Sequence, residues 1–318
     1  MPGMGMDRWT HPAVILVSTD LSDLERLMPF ALREASESGA RLILLHVLPI
    51  GIGMAVDPTV MPYYDPASAL EHAAKFLHPW CTVAHNKGIA CDALVREGNP
   101  AQQIASAVRQ FQADRILLGT RSRGKASKLL LGSVAEQVLR SVNLPVITVG
   151  PEAHLPVDST GHEQVVLHAT TLREASRPSA ALACHIAASK HARLVLLHVL
   201  PTVEELQHRR LPANFEESAR QQLRILADEI AEGERYTDVH VEPRIAHGNP
   251  SIEILAASAE LHADLIVLGA MQHSALQYLT RDHTVYRVLA HARCPVLTLR
   301  EPLAPAASGS VEHAAAHT

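Results

Sequence analysis

The sequence lacks the features that would place this protein in a membrane or on nucleic acid. No apolar run approaches the roughly 18 residues that cross a bilayer, and residues 1–12 have neither the basic start nor the apolar core of a secretory signal. Charged residues make up only 19% of the chain and the formal net charge is -5, which argues against a broad basic face for nucleic acid. We therefore expect a cytoplasmic protein with no membrane and no nucleic-acid partner, and only a small anionic ligand.

Metal-binding and catalytic patterns are missing as well. The four cysteines lie far apart without CxxC spacing, so we expect neither a zinc ribbon nor a disulfide framework; they are Cys81, Cys91, Cys184 and Cys294. The 20 histidines include no His-Glu-x-x-His or similar ligand pattern, so no metal site is predicted. No paired carboxylates and no nucleophile with its base can be assembled, so we predict no catalytic residue.

An internal repeat with a period near 150 residues organises the chain. The paired segments are ARLILLHVLP at 40–49 with ARLVLLHVLP at 192–201, GNP at 98–100 with GNP at 248–250, and PV at 145–146 with PV at 295–296. Chance does not keep such a register, so the repeat indicates two similar units. We predict a first domain at 1–150, a linker at 151–161, a second domain at 162–300 and a flexible tail at 301–318.

Each repeat alternates strands with helices. Residues 14–17 and 41–49 form apolar runs with little polar alternation, which is typical of parallel strands covered on both faces. An amphipathic helix is predicted between them at 24–38, and Asn99 followed by Pro100 predicts the start of another. The pattern favours an α/β fold: two tandem, doubly wound, Rossmann-like domains, each a five-stranded parallel sheet with helices on both faces.

Residues 119–133 form a loop between a predicted strand and a predicted helix. Glycines and a helix N-terminus make such a loop suited to phosphate. Asp20, Val47 and Gly119 each fall where a strand ends, and ligands of parallel sheets bind outside those ends. We predict that the three converge on one crevice. Two alternatives stay open: the loop only connects strand to helix, and Asp20 or Ser133 serves only as a helix N-cap.

These motifs resemble the universal stress protein family in its tandem two-domain form. That family's ATP signature is Gly, two residues, Gly, nine residues, Gly, then Ser or Thr. Gly119, Gly132 and Ser133 stand at their places, and Ser122 replaces the middle glycine. The resemblance implies that Asp20 and Val47 hold the nucleoside. The residues it implies for the phosphates are Gly119, Arg121, Ser122, Gly132, Ser133 and Val134.

The second repeat departs further from the signature. Aligning Gly269 with Gly119 puts Gln272 and Asp282 at the other two glycines, His283 at the serine and Thr171 or its neighbour at Asp20. An aspartate about 4 Å from a phosphate costs roughly 4 kcal/mol per unit charge at an effective dielectric constant of about 20. We therefore expect no ATP in the second domain. Whether Ser122 still permits ATP in the first is left open, because a non-glycine residue at positive φ costs about 1–2 kcal/mol.

The resemblance implies a regulatory or protective stress-response module that binds ATP, with or without magnesium, in its first domain. At most it implies slow ATP hydrolysis. The alternative is a nucleotide-free interaction scaffold built on an intrachain pseudo-dimer. The resemblance also implies a homo-oligomer in which the last strand of each domain pairs with a neighbour, and the candidate strands are residues 145–149 and 295–299. It names no protein partner.

Overall fold

The computed structural model describes residues 8–49, 66–120, 131–154, 163–202, 204, 214–233, 239–271 and 283–301. The first half of the chain contains β1 (Val14–Thr19), α1 (Leu24–Ser38), β2 (Arg41–Leu48), α2 (Pro66–Asn86), β3 (Cys91–Glu97), α3 (Pro100–Phe111), β4 (Arg115–Gly119), α4 (Ser133–Ser141) and β5 (Val146–Val149). The second half contains β6 (Val165–Ala169), a 3-10 turn (Glu174–Ser176), α5 (Arg177–Ser189), β7 (Arg193–Leu200), α6 (Phe215–Gly233), β8 (Val241–His247), α7 (Pro250–Glu260), β9 (Leu265–Met271), α8 (His283–His291) and β10 (Val296–Glu301).

The strands form one sheet in the order β3-β2-β1-β4-β5-β10-β9-β6-β7-β8. Within each half all neighbouring strands run parallel, with the first strand in the middle and the order reversing beside it. The predicted doubly wound α/β fold is confirmed. The two five-stranded sheets are, however, joined edge to edge into a single sheet of ten strands.

The junction between the halves is an antiparallel pair of strands, β5 with β10. Thr148 Oγ1 donates to the carbonyl of Val296 at 3.2 Å, and Thr298 Oγ1 donates to the carbonyl of Val146 at 3.3 Å. The two bonds are reciprocal, as at a two-fold interface between identical subunits. Pairing the last strands also removes one exposed sheet edge from each half. The last strands thus pair within the chain, in a pseudo-dimer.

Helices cover both faces of the long sheet. On one face a single apolar core runs through both halves, and it includes Leu27 of α1 and Ala183 of α5 as well as Ile147 and Leu297 of the junction strands. On the other face each half has its own core, around Ile104 in the first and around Ile254 in the second. The two halves therefore pack as one body on the first face.

A partly buried ion network crosses the junction. Glu34 accepts a hydrogen bond from Arg115 of its own half at 2.5 Å and one from Lys190 of the other half at 3.0 Å, and Lys190 also pairs with Glu37. Burial by itself raises the pKa of Glu34, but the positive charges of Arg115 and Lys190 outweigh it and hold that pKa below its ordinary value. Glu34 is therefore ion-paired with residues of both halves.

Several local predictions are confirmed residue by residue. The first helix spans Leu24–Ser38, and Gly39 ends it in a left-handed conformation at φ 71°. The side chain of Asn99 caps α3 by accepting from the backbone of Gln102 at 3.1 Å. In the described ranges no helix has the length and apolar character needed to cross a membrane. The domain bounds stay predictions, and most of the predicted linker and tail lies outside the described residues.

Candidate functional site

The predicted crevice lies at the carboxyl edge of three adjacent strands, β2, β1 and β4. Ser18 at the end of β1 is level with Leu118 of β4, and Thr19 is level with His46 of β2. The residues that follow these positions are Asp20, Gly119 and Val47. The strand order reverses between β1 and β4, which is where open parallel sheets bind ligands. The structure therefore brings the three predicted residues to one edge.

Asp20 forms a turn of its own and does not cap the helix. Its Oδ1 accepts hydrogen bonds from the backbone of Ser22 at 2.9 Å and from the Ser22 hydroxyl at 2.7 Å. The N-cap position of α1 belongs to Asp23, and Leu21 makes the intervening turn at φ 72°. The alternative that Asp20 is a helix cap is therefore wrong. Its side chain is exposed at the sheet edge.

Asp23 is a buried carboxyl group directly beneath the site. Thr19 Oγ1 donates to Asp23 Oδ1 at 2.5 Å. Burial, with a smaller contribution from the charge of Asp20, raises the pKa of Asp23 to about 6, against the opposing effects of the Thr19 hydrogen bond and the nearby Arg26. The sequence did not single this residue out, although a threonine four residues before an acid at a strand end is a usable signal.

Gly119 is glycine for a structural reason. A Cβ at this position would lie 2.2 Å from Asp23 Oδ2 and 3.3 Å from Arg26 Nη2. No side chain fits there unless Asp23 moves. The first glycine of the predicted loop is therefore explained by its contact with Asp23 without any ligand.

Arg26 brings a positive charge to this edge that the sequence did not reveal. Its Nη2 lies 4.0 Å from Asp23 Oδ2. Its Nε and Nη2 are buried and have no hydrogen-bond partner within the described part of the chain, and the same holds for the hydroxyl of Thr120. An arginine is the side chain best suited to a phosphate. Arg26 therefore brings a guanidinium group beside Gly119 and Asp23 at this edge.

The far end of the predicted loop is the start of α4. Gly132 occupies the N-cap position, its backbone N–H donates to the carbonyl of Thr120 at 2.7 Å, and a Cβ on it would lie 3.0 Å from that carbonyl. Ser133 is the exposed first residue of the helix, followed by Val134, so Ser133 is not the cap. The first-turn N–H groups of a helix have no partner within the helix and favour anions. Arg121 and Ser122 lie outside the described residues.

Val47 is a buried residue near the end of β2, with 7% of its surface exposed. Its neighbour His46 ties β2 to β1, since His46 Nδ1 lies 2.9 Å from the carbonyl of Thr19. The second half repeats this tie, with His198 Nδ1 at 2.8 Å from the carbonyl of Thr170. These histidines join adjacent strands. Among the described residues, no three His, Cys, Asp or Glu side chains are placed to hold a metal ion.

The second half carries different side chains on the same backbone frame. Its strand register puts Thr171 at the place of Asp20. The hydroxyl of the strand-end threonine, Thr170, lies 3.1 Å from the hydroxyl of Ser176, which replaces Asp23 as its partner. Helix α8 begins at His283 as α4 begins at Ser133, which supports the alignment of the two loops. Gln272 and Asp282 lie outside the described residues.

Known proteins resemble either nearly the whole chain or about half of it. A universal stress protein of Mycolicibacterium smegmatis is 26% identical over 296 residues, which is 90% of this chain and 96% of that protein. One from Thermus aquaticus is 32% identical over 142 residues, which is 42% of this chain and 96% of that protein. The crystal structure of a universal stress protein from Archaeoglobus fulgidus matches with a TM-score of 0.70 and 21% identity, covering 92% of this chain and 98% of that one.

The profile of the universal stress protein family matches the chain twice, at residues 13–150 and 164–300. The two matches together cover well over half of the sequence and coincide with the two halves of the sheet. The chain therefore belongs to the universal stress protein family, as a tandem of two family units.

Proposed function

We propose that this protein is a regulatory or protective stress-response module that binds one adenine nucleotide, ATP with or without magnesium, in its first half only. One observation carries the proposal: the two halves share a backbone frame but differ in charge at its carboxyl edge. The first half presents Asp20 and Arg26 there, whereas the second presents Thr171. The alignment adds Asp282 where the first half has Gly132.

The nucleoside would lie over β1 and β2. An exposed carboxylate at the switch point accepts hydrogen bonds from ribose hydroxyls, and Asp20 has that position. Val47, at the end of the neighbouring strand, offers an apolar contact and a backbone group to the base. Asp20 is held in its turn by Ser22, so it does not have to become ordered when the ligand arrives.

The phosphates would lie against the start of α4. Gly132 leaves room in front of the helix, and the N–H groups of Ser133 and Val134 with the Ser133 hydroxyl supply donors. Arg26 supplies a positive charge on the other side of Gly119, and Arg121 and Ser122 complete the proposed set. No catalytic residue is proposed, and hydrolysis of ATP would at most be slow.

The second candidate is a nucleotide-free interaction scaffold. The contact of Gly119 with Asp23 favours it, because this glycine is required whether or not a phosphate binds. The junction of β5 with β10 is the intrachain pseudo-dimer that such a scaffold needs. The junction also uses the strands that would otherwise pair with another chain. We therefore propose that a homo-oligomer would form through other surfaces, and that the protein is cytoplasmic.

Calorimetric titration of the full chain with Mg-ATP separates the two candidates. We expect one nucleotide per chain and a thermal shift upward, because a ligand that binds only the folded state stabilises it. Asp20→Thr, which copies the second half, should weaken binding at least tenfold. Thr171→Ala, at the matching position of the second half, should leave it unchanged.

Two outcomes of the titration would contradict the proposal. No heat and no thermal shift at millimolar Mg-ATP, in protein purified free of nucleotide, would leave the scaffold as the function. Two nucleotides per chain would show that the restriction to the first half is wrong.

A further inference from the structure

Two cysteines meet between α2 and β3. Cys81 Sγ lies 2.7 Å from Cys91 Sγ, compared with roughly 2.05 Å for an S–S bond. Both residues are buried, with 7% and 5% of their surfaces exposed. The turn between them is tied by backbone hydrogen bonds, including one from Ile89 to Ala84 at 3.0 Å, so the pair is held in place by the fold.

The two thiols differ in acidity. The hydrogen bond between them lowers the pKa of Cys81, and the same bond, with burial, raises that of Cys91. The thiolate is the reactive form of cysteine, and low pKa favours it. The hydrogen bond therefore favours Cys81 as the sulfur that reacts first, with Cys91 as the second thiol 2.7 Å away.

The second half lacks this pair. The buried positions of α2 and α6 have the same spacing, since Leu77 and Ala84 correspond to Leu223 and Ile230. In that alignment Cys81 corresponds to Ala227. The strand register places Val241 opposite Leu194, as Cys91 is opposite Leu42. The fold is thus built without sulfur at these positions in the second half, and the cysteine pair is not a requirement of the fold.

We propose that Cys81 and Cys91 are a redox-active dithiol that a hydroperoxide oxidises reversibly to a disulfide. The Cys81 thiolate attacks one oxygen of hydrogen peroxide: an S–O bond forms, the O–O bond breaks, and the leaving hydroxide takes up a proton to become water. Cys91 then attacks the sulfenic acid: the S–S bond forms, the S–O bond breaks, and hydroxide leaves with the Cys91 proton as water. Two thiols lose two electrons and two protons, and the peroxide becomes two waters. A dithiol reductant reverses the reaction.

The other two cysteines are internal controls. Cys184 is fully buried and its Sγ donates to the carbonyl of Ile230 at 3.6 Å. Burial raises the pKa of Cys294 to about 12, and its sulfur lies 3.7 Å from the Ser258 hydroxyl. Both thiols should stay reduced under conditions that oxidise Cys81 and Cys91.

The experiment is peroxide treatment of the full chain, followed by unfolding, alkylation of free thiols and mass spectrometry. We expect the number of alkylated cysteines to fall from four to two, and a peptide cross-linking Cys81 to Cys91 to appear. Dithiothreitol before alkylation should restore all four. In Cys91→Val, which copies the second half, no cross-link should form. Cys81 also loses the hydrogen bond that lowers its pKa, so it should react with peroxide more slowly than in wild type, and the Cys81 that does react should stop at the sulfenic acid and be trapped by dimedone. Cys294→Ala should still form the cross-link.

Three results would overturn the proposal. The first is four alkylated thiols in the wild-type chain at peroxide concentrations that oxidise a free reference thiol. The second is a cross-link that involves Cys184 or Cys294. The third is oxidation of Cys81 beyond the sulfenic acid while Cys91 stays free. All three are read on the wild-type chain, so they do not depend on whether a variant folds, and they are independent of nucleotide binding.

Discussion

The carboxyl edges of the two halves have the same backbone and different chemistry. Strand order, register and the histidine tie are repeated, and α4 and α8 begin at matching residues. In the first half a threonine holds the carboxyl group of Asp23, and in the second it holds the hydroxyl of Ser176. The difference shows that the same backbone accommodates either group of side chains. The charged side chains of the first half are therefore not required by the fold.

The largest expected effect comes from moving a second-half residue into the first half. Gly132→Asp should weaken ATP binding about a thousandfold, because a carboxylate about 4 Å from a phosphate costs roughly 4 kcal/mol at an effective dielectric constant of about 20. Calorimetric titration measures it. Gly132→Asn is the matched control: its Cβ also lies close to the Thr120 carbonyl, so we expect a loss of about tenfold. Equal affinities for the two variants would show that the charge does not face the phosphates.

The next effect concerns the buried carboxyl group. The pKa of Asp23 is raised from 3.8 to about 6, a difference that corresponds to about 3 kcal/mol. Because the folded state favours the protonated form, this stabilisation is present below about pH 4 and is lost as the pH rises through about 6. Asp23→Asn removes the titration, so its free energy of unfolding relative to wild type should rise by about 3 kcal/mol between about pH 4 and pH 7.

Urea unfolding at several pH values measures this change. Asp20→Asn, which removes a nearby exposed carboxylate, is the control and should follow the wild-type pH profile closely. Identical pH profiles for Asp23→Asn and wild type would mean that Asp23 is not the titrating group.

A smaller effect is expected at Gly119. Gly119→Ala should lower the free energy of unfolding by about 2 kcal/mol, because the added Cβ overlaps Asp23 Oδ2. In Gly119→Ala/Asp23→Ala the overlap is gone, so the Gly119 substitution should then cost much less. A double-mutant cycle from urea midpoints measures the coupling. Additive effects would contradict the contact.

The smallest effect concerns the ion pair that joins the halves. Glu34 and Lys190 have side chains only 16% and 18% exposed, and we expect a coupling free energy of about 1 kcal/mol. The cycle uses Glu34→Gln, Lys190→Met and the double variant, measured by urea unfolding. Because the pKa of Glu34 is lowered, the coupling should be present above about pH 4.5 and disappear as the pH falls below it. A coupling near zero at neutral pH would show that the pair does not link the halves energetically.

Much of the fold could be predicted because its signals are local. Apolar runs mark β1 and β2, Gly39 ends α1, and Asn99 with Pro100 starts α3, each within a few residues of the chain. The family resemblance singled out the last strands, β5 and β10, as pairing strands, but with a neighbour in a homo-oligomer; the structure showed that they pair with each other within the chain. The joining of the two five-stranded sheets into one sheet of ten strands depends on a register between residues about 150 apart, which no local pattern specifies.

The candidate site was only partly predictable. Asp20, Val47 and Gly119 were found because strand ends can be read from apolar runs. Asp23 and Arg26 were missed, because only the packing of α1 against β4 brings them to Gly119. The meeting of Cys81 with Cys91 was missed for the same reason: their spacing matches no motif, and the contact exists because α2 lies on β3.

The sequence by itself determined the repeat, the order of strands and helices, and the residues that end each strand, since these depend on periodicity and on glycine and proline. The tertiary structure alone decided which of those residues touch. It put a carboxyl group beneath Gly119, a second sulfur beside Cys81 and a lysine of one half against a glutamate of the other. Such contacts are set by how helices pack on a sheet, and packing joins residues that the chain keeps far apart.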